Sequence, residues 1–510
     1  MLAKVRSGAV LGVDAYVVEV ELDIANGLPA FTVVGLGDAG VQESRERVKS
    51  AIRNSGYAFP PLRLTANLAP ADLKKTGPSF DLPIAIGILA ASDQVVTESL
   101  DALLLVGELS LDGAVRPVSG VLSIALAAVR AGFRGVVVPA ANAAEAALVD
   151  GLEVYGAETI AQVVTLLNEP GSLPRTVLDR DRLQTRPDQG LPDFEEVKGQ
   201  EFAKRALEVA AAGGHNVMLV GPPGSGKTML AKRLPGILPE LSIPEALEVT
   251  KLYSVAGLLP GDTPLIASRP FRSPHHSISI AGLVGGSSVP RPGEISLAHH
   301  GILFLDELPE FRRDVIEVLR QPLEDGCVTI SRAAMTLKFP ALFTLAAALN
   351  PCPCGFRGDS VRPCSCSPQQ AERYWTRLSG PLLDRIDLQI EVPRLSQSDL
   401  MDTGHAEPSS RIRERVVQAR DRQRRRYEGS VGVHCNSQMS TRLVRQHCRL
   451  DEDGAELLRR AISQLGLSAR SYDRILKVAR TIADLEGREA VAAPHVAEAI
   501  QYRTLDRGKA

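Results

Sequence analysis

The chain of 510 residues lacks a charge bias: 58 lysines and arginines stand against 60 aspartates and glutamates, a formal net charge of -2. There is no global basic field to draw nucleic acid, so any such affinity has to come from a local patch. Long apolar runs are missing too. The most apolar stretch, Leu82 to Ala91, is too short to span a bilayer. Met1 to Ser7 is not followed by an apolar core of signal-peptide length, so no membrane association and a cytoplasmic location are expected. Cysteine is scarce, and four of the seven crowd into Cys352 to Cys366, unlike a secreted disulfide framework. What remains is a globular composition, 44% apolar and 23% charged, with room for about three domains at roughly 150 residues each.

The stretch that organises the chain is Gly221-Pro222-Pro223-Gly224-Ser225-Gly226-Lys227-Thr228. It fits G-x-x-x-x-G-K-[ST], in which glycines let the backbone curl until successive N–H groups face one anion. Val217 to Val220 predicts a strand feeding the loop, and Thr228 to Leu234 predicts the helix leaving it. The helix N-terminus adds partial positive charge, Lys227 reaches the terminal phosphates, and the Thr228 hydroxyl joins the Mg2+ shell. A glycine-rich turn matching by chance would not have strand, loop and helix in register. A nucleoside triphosphate with Mg2+ is the predicted ligand.

Downstream, Gly301 to Leu305 is an apolar run ending in Asp306 and Glu307. Adjacent acids at the end of a buried strand are costly unless they face a cation or a reacting water. Asp306 is therefore placed on the Mg2+ shell and Glu307 on the attacking water. A solvated strand end is the plainer alternative, and the phosphate loop upstream weighs against it. A second apolar run, Leu342 to Leu349, ends in Asn350; Pro381 to Asp387 then precedes the alternating Leu388 to Val392.

The N-terminal third, from Val10 to about Leu167, mixes strand-like alternation (Ala15 to Leu22, Gly135 to Val138) with helical patterns (Glu43 to Asn54, Leu82 to Ser92, Leu122 to Ala131). That mixture predicts an α/β or α+β domain with its own core. Lys74 to Asp81 resembles the segment carrying the nucleophilic serine of Lon-type proteases. Gly107 to Gly113 and Val115 to Val121 resemble the Lon segment leading to the catalytic lysine, whose position aligns with Leu122. A serine needs a base or a depressed pKa to act as nucleophile, and Leu122 supplies neither. Ser79 is therefore read as vestigial, and the domain as a Lon-like scaffold without peptidase activity. Glu169 to Asp193, rich in proline, glycine and charge, reads as a linker.

Three further stretches narrow the family: Phe271 to His276, Pro290 to His300, and Asn350 to Gly355. With the phosphate loop they resemble the magnesium-chelatase-like branch of the AAA+ ATPases over residues 193–395. With the Lon-like domain in front, nearly the whole chain is similar to the ComM/YifB family. The resemblance implies an α/β fold in four parts. A Lon-like (ribosomal S5 domain 2-like) α+β domain spans 1–168, a linker 169–192, a central AAA+ P-loop αβα domain 193–395, and a C-terminal helical lid 396–510.

It also implies roles. Asn350 would contact the γ-phosphate and the attacking water. Arg385 would project into a neighbour's nucleotide, where such a finger contributes about 10³–10⁵ in rate; a surface arginine paired with Asp384 or Asp387 is its plainer reading. Arg470, near the start of a lid helix, would be the lid arginine on the γ-phosphate, with Arg474 one turn on as the alternative. The family further implies a homo-oligomer, a hexameric ring, that acts on branched or single-stranded DNA as a branch-migration helicase during natural transformation. A protein remodeller or magnesium-chelatase-type chaperone is the alternative; an ATP-dependent protease is opposed by Leu122.

Three basic elements are candidates for phosphate contact. They are the insertion Leu252 to Leu297 with Arg269, Arg272, His275, His276 and Arg291, a predicted hairpin Val328 to Lys338 with Arg332 and Lys338, and an arginine-rich helix from Arg411 to Arg426. Loop chemistry and paired surface charge fit the same residues equally well. Adjacent histidines point apart on a strand, so the two His-His pairs are read as polar packing rather than metal ligands. Cys352, Cys354, Cys364 and Cys366 form two close pairs able to supply a tetrahedral Zn–S₄ site. Free reduced thiols or a redox pair fit the same C-x-C spacing.

Overall fold

The computed structural model describes residues 1–503 except 36, 74, 76, 180–189, 261–262, 287–289, 333–334, 397–405, 431 and 466–467. Lys74 and Thr76 of the Lon-like segment, much of the expected linker, and residues 403–405 before the arginine-rich helix therefore lie outside the described residues.

The N-terminal third forms β1 (Leu2–Leu11), β2 (Asp14–Ala25), β3 (Ala30–Val34), β4 (Arg63–Ala69), β5 (Leu103–Leu105), a small hairpin of β6 (Glu108–Leu109) and β7 (Val115–Arg116), then β8 (Gly135–Pro139) and β9 (Glu153–Ala157). Seven of these make one mixed sheet in the order β3-β4-β2-β1-β5-β8-β9. β1 and β2 pair antiparallel from Leu2↔Asp23 to Leu11↔Asp14. Their alternation sends Val18, Val20 and Leu22 into the core, as period-two patterning requires. The most apolar run becomes the Asp81–Ala91 helix, every residue of which is buried; a helix apolar all round belongs inside. Among the described residues no helix is long and apolar enough to cross a membrane. Leu122, at the position where the resemblance expects lysine, is buried near the start of the Val121–Arg130 helix. Ser79 sits in a short turn, and the Nζ of Lys75 donates to Pro70 O.

The second sheet contains β10 (Val217–Val220), β11 (Phe271–Arg272), β12 (Ile302–Leu305), β15 (Thr344–Leu349) and β16 (Leu388–Glu391). Its order is β11-β12-β15-β10-β16 and every pairing is parallel. Both faces are covered, which explains why its strands read as continuous apolar runs. Ile302, Phe304, Val217 and Leu219 face one cluster; Leu303, Leu305, Met218 and Val220 face the other. Between β12 and β15 the expected hairpin forms from β13 (Cys327–Arg332) and β14 (Met335–Pro340), with Arg332 opposite Met335. Its base packs through Val328, Ile330 and Phe339.

The C-terminal helices Ser409–Arg426, Thr441–His447, Glu452–Leu465, Ala469–Leu485 and Ala493–Gln501 have no core of their own. Ile412, Val416, Ile475, Ile482 and Val496 join Leu219 and Phe304 in one cluster. Five arginines of the arginine-rich helix turn to partners within this chain, while Arg411, Arg424 and Arg425 are exposed. Arg413 Nε donates to Gly236 O at 2.8 Å, Arg420 Nη2 to Ala211 O at 2.9 Å and Arg422 Nη1 to Asp484 O at 2.8 Å. Arg415 pairs with Glu208 at 2.5 Å, and Arg426 with the buried Asp484 at 2.5 Å. The reason is geometric: the helix lies over the ends of neighbouring helices, where unpaired carbonyls need donors.

The two sheets are fastened through one buried acid. Glu145 accepts the Leu122 N–H at 2.8 Å, the Asn142 Nδ2 at 3.1 Å, and the hydroxyl of Ser254 on the Ile243–Ala256 helix. Beside it, Gly120 N–H donates to Ser254 O at 3.1 Å and Lys251 pairs with Asp14 at 2.5 Å. Ser254→Ala removes one donor from a buried carboxyl, and a loss of about 1.5–3 kcal/mol is expected. The measurement is the denaturant midpoint at unchanged slope; an unmoved midpoint would mean that Glu145 does not fasten the two parts.

Candidate active site

Because the second sheet is parallel, β10, β12 and β15 release Gly221, Asp306 and Asn350 at one edge, where open α/β sheets hold ligands. The loop after β10 needs its glycines. Gly224 and Gly226 take φ of 78° and 92°, backbone that side chains resist. A Cβ on Gly221 would collide with Val392 O and come within 2.9 Å of Ser225 Oγ. The Lys227–Arg233 helix leaves the loop.

Lys227 folds back on this cradle. Its Nζ donates to Gly221 O at 2.8 Å, Pro222 O at 2.9 Å and Asn350 Oδ1 at 3.2 Å. Burial lowers its pKa, against the pull of Asp306 and Glu307. Thr228 Oγ1 donates to Asp306 Oδ2 at 2.7 Å, so the two expected Mg2+ ligands already touch. Ser225 Oγ is buried in the loop without a partner, a lack that costs about 1–3 kcal/mol. An ammonium, a hydroxyl–carboxylate pair and an unsatisfied hydroxyl around a glycine cradle fit a triphosphate with Mg2+.

Glu307 stands at the rim, its side chain 57% exposed. Its φ is 53°, left-handed, a strain of order 1–3 kcal/mol of the kind that gathers at functional sites. His276 Nδ1 lies 3.8 Å from Glu307 Oε2 and its ring meets the edge of Phe311. No sequence pattern marks His276 as a neighbour of Glu307; it arrives from the insertion before β12.

The remaining arginines lie elsewhere. Arg385, Arg470, Arg474 and Lys477 line one open pocket with Glu324 and Asp384. Arg385 pairs with Glu324, not with Asp384 or Asp387, and its Nη1 donates to Pro381 O at 2.6 Å. Asp387 instead binds Arg474, and its Oδ2 accepts the Asn216 N–H at 3.1 Å. Asn216 and Asp387 precede β10 and β16, so this cluster sits at the opposite edge of the sheet from the phosphate loop. The four residues of β10 alone separate them by about 13 Å at ~3.3 Å each. Arg470 is thus not brought to the loop of its own chain. The Ser409–Arg426 and Ala469–Leu485 helices pack on the Glu201–Gly213 helix, which itself lies against β16. Burial would raise the Asp387 carboxyl, but Arg474 and His215 outweigh it and hold it below the usual carboxylate range.

The cysteines gather. Cys352 Sγ lies 3.3 Å from Cys354 Sγ and 3.7 Å from Cys364 Sγ, Cys354 and Cys364 are 3.6 Å apart, and Cys354 N–H donates to Cys366 Sγ at 3.3 Å. All four sulfurs lie within 4.8 Å of one another.

The His-His pairs do not point apart. Neither lies on a strand; His300 has φ 55°, and the rings of His299 and His300 sit 3.9 Å apart. Both Nε2 atoms reach Glu248 Oε2 at 3.0 Å. Leu342 N–H already donates to His299 Nδ1 at 3.0 Å, so the proton of the neutral ring is on Nε2. That nitrogen donates to Glu248 and offers no lone pair to a metal. Of the insertion's arginines, Arg269 caps Pro239 O and His300 O, and Arg272 pairs with Glu294 at 2.6 Å.

Comparison with known proteins covers nearly the whole chain. Models described as magnesium chelatase, subunit ChlI, match residues 193–400, and the ChlI C-terminal model matches 406–503. One described as subunit ChlI of Mg-chelatase matches 20–142. Competence protein ComM of Haemophilus influenzae is 47% identical over 99% of this chain and 98% of that protein. YifB of Escherichia coli is 44% identical over 99% and 98%. The magnesium-chelatase 38 kDa subunit of Rhodobacter capsulatus is 24% identical over 45% of this chain and 69% of that protein.

Asp387→Asn leaves Arg474 without its anion, a loss of about 3–5 kcal/mol at pH 7. A depressed carboxyl contributes stability above its unfolded pKa and loses it as pH falls. The gap between parent and variant should therefore be full above about pH 4 and shrink below it. Denaturant melts at pH 7 and pH 3 read this; an equal gap at both would rule out an electrostatic role.

Proposed function

We propose that this chain, which belongs to the ComM/YifB family of magnesium-chelatase-like AAA+ proteins, is an ATP hydrolase whose copies assemble into a ring, hexameric as the family implies, and move branched or single-stranded DNA. The observation that carries this reading is the division of the site between two edges of one sheet: Lys227, Thr228, Asp306, Glu307 and Asn350 gather at one, and Arg385, Arg470 and Arg474 at the other. A ring brings the second edge of one copy to the first edge of the next, and only there are all the charges assembled.

In this reading the loop N–H groups and Lys227 bind the terminal phosphates. Thr228 and Asp306 hold Mg2+, which when bound neutralises phosphate charge. Glu307 orients the attacking water, and His276 restrains the Glu307 carboxylate. Asn350 shares the γ-phosphate with Lys227. Arg385 and Arg470 stabilise charge on the nucleotide of the neighbouring copy, so the C-terminal helices sense a neighbour's state. The β13–β14 hairpin presents the exposed Lys338 to a DNA backbone, most arginines of the Ser409–Arg426 helix being occupied internally. The N-terminal third is read as a Lon-like unit without peptidase activity, since Leu122 N–H serves Glu145 and its side chain carries no base. The four thiols are read as a zinc ligand set.

The name of the Haemophilus influenzae relative favours competence as the setting: a cytoplasmic motor that drives branch migration while incoming DNA is integrated. Base pairs broken and formed nearly balance in such an exchange, so ATP supplies direction. The chelatase likeness keeps a second reading, a protein-remodelling or metal-insertion chaperone, which DNA would not stimulate.

Lys227→Ala should abolish nucleotide binding, whereas Glu307→Gln and Arg385→Ala should bind ATP and hydrolyse it more slowly, by about 10²–10³-fold for Glu307→Gln and about 10³–10⁵-fold for Arg385→Ala. Mixing Lys227→Ala with Arg385→Ala should restore part of the rate, because some interfaces then pair an intact loop with an intact arginine. ATPase assays and ATP-dependent movement of a labelled four-strand junction read these outcomes. Failure of the mixture to recover would argue against a shared site, and a rate indifferent to DNA would argue against the motor.

A further inference from the structure

We infer that the four-thiol site and the nucleotide site are linked, so that metal on Cys352, Cys354, Cys364 and Cys366 tightens triphosphate binding and triphosphate tightens the metal. The inference rests on the reading of the thiols as a zinc ligand set. A tetrahedral zinc with Zn–S of about 2.3 Å needs sulfurs about 3.8 Å apart; the three measured spacings are 3.3, 3.6 and 3.7 Å.

Two paths join the sites, one on each side of the first thiol pair. Upstream, Asn350 stands two residues before Cys352 and accepts the Nζ of Lys227 at 3.2 Å. Between them Pro351 O accepts Trp375 Nε1 at 3.0 Å, so the backbone from Asn350 into the thiol loop is pinned. Downstream, Gly355 follows Cys354 and lies flat on the phosphate loop. A Cβ there would come within 2.6 Å of Pro223 Cδ and 2.7 Å of its Cγ, and its φ is 84°. Backbone and proline ring touch with no space between them.

The segment between the thiol pairs offers little else to hold that contact. Phe356 is half-buried, and Arg357, Gly358, Val361 and Arg362 are exposed. Among the described residues its anchor is Asp359, which accepts Val361 N–H at 2.7 Å and pairs with Arg394 at 3.0 Å. Arg394 lies just past β16, two residues after Val392, whose N–H donates to Val220 O at 2.7 Å beside the phosphate loop. Metal binding to such a segment is ordering energy. With the thiolates tied to one ion, Gly355 is held against Pro223 and Asn350 is held toward Lys227; without it, Gly355 is left to the Asp359–Arg394 pair and Asn350 to the Pro351–Trp375 bond. Reciprocity follows from thermodynamics, since a ligand that orders one face of the contact lowers the cost of ordering the other.

The test uses the full chain. Metal analysis should find one zinc per chain. Protein stripped by a zinc-selective chelator under reducing conditions should bind a fluorescent, non-hydrolysable ATP analogue about 5–150-fold more weakly, with zinc but not Mg2+ restoring affinity. The analogue should slow zinc transfer to a chromogenic chelator by a comparable factor. Gly355→Ala keeps all four thiols, so it should retain full zinc while weakening the analogue; it also covers the case in which stripped protein unfolds. Full zinc with unchanged nucleotide affinity in Gly355→Ala, or in folded stripped protein, overturns the linkage and leaves the zinc reading standing. Absence of zinc and of zinc uptake overturns both.

Discussion

A buried carboxylate holds the half of this molecule built on the second sheet in its geometry. Asp387 precedes the edge strand β16, takes the N–H of Asn216 ahead of β10, and pairs with Arg474 of the Ala469–Leu485 helix. It thereby ties two strands and a helix at the end of the sheet away from the phosphate loop. Asn216 completes the knot, its side chain giving Nδ2–H to Arg385 O at 2.9 Å and accepting Leu345 N–H at 2.8 Å. A charge so buried is tolerated only with partners on every side, and those partners set where Arg385 and Arg474 stand. The polarity of the parallel sheet does the rest: strand ends carry the phosphate chemistry, and strand beginnings carry the arginines.

The same accounting separates charge that is free to meet a ligand from charge that is not. The arginine-rich helix has the composition of a phosphate-binding surface, yet its guanidinium groups mostly serve carbonyls and acids of this chain. Arg269 and Arg272 of the insertion are used in the same way. A guanidinium so occupied would have to abandon a partner before gripping DNA. Lys338, exposed on its hairpin, carries no such cost.

What could be read from the sequence was local. Glycine spacing, an apolar strand on one side and a helix on the other define the phosphate loop within a few residues of chain, and strands ending in Asp306-Glu307 and Asn350 are legible from hydropathy. A parallel sheet then brings them together. What could not be read depended on distant partners. Asp387 and Arg474 are 87 residues apart, and nothing in either segment names the other. His276 reaches Glu307 from an insertion without periodicity. The carbonyls that absorb the arginines leave no trace in composition. Adjacent histidines point apart only on a strand; here a single left-handed residue, His300, turns both rings to one acid.

The fastening at Glu145 has a mechanical consequence. It joins the first residues of the Val121–Arg130 helix to Ser254 near the end of the Ile243–Ala256 helix, and Val13, in the turn between β1 and β2, packs on the same apolar cluster as Leu337 of the β13–β14 hairpin. The seven-stranded sheet is therefore braced at two separated points, one on a helix and one on a hairpin. A body held at two points resists tilting about either, so small excursions of the hairpin are passed to it as stiff levers pass them, with little lost as slack.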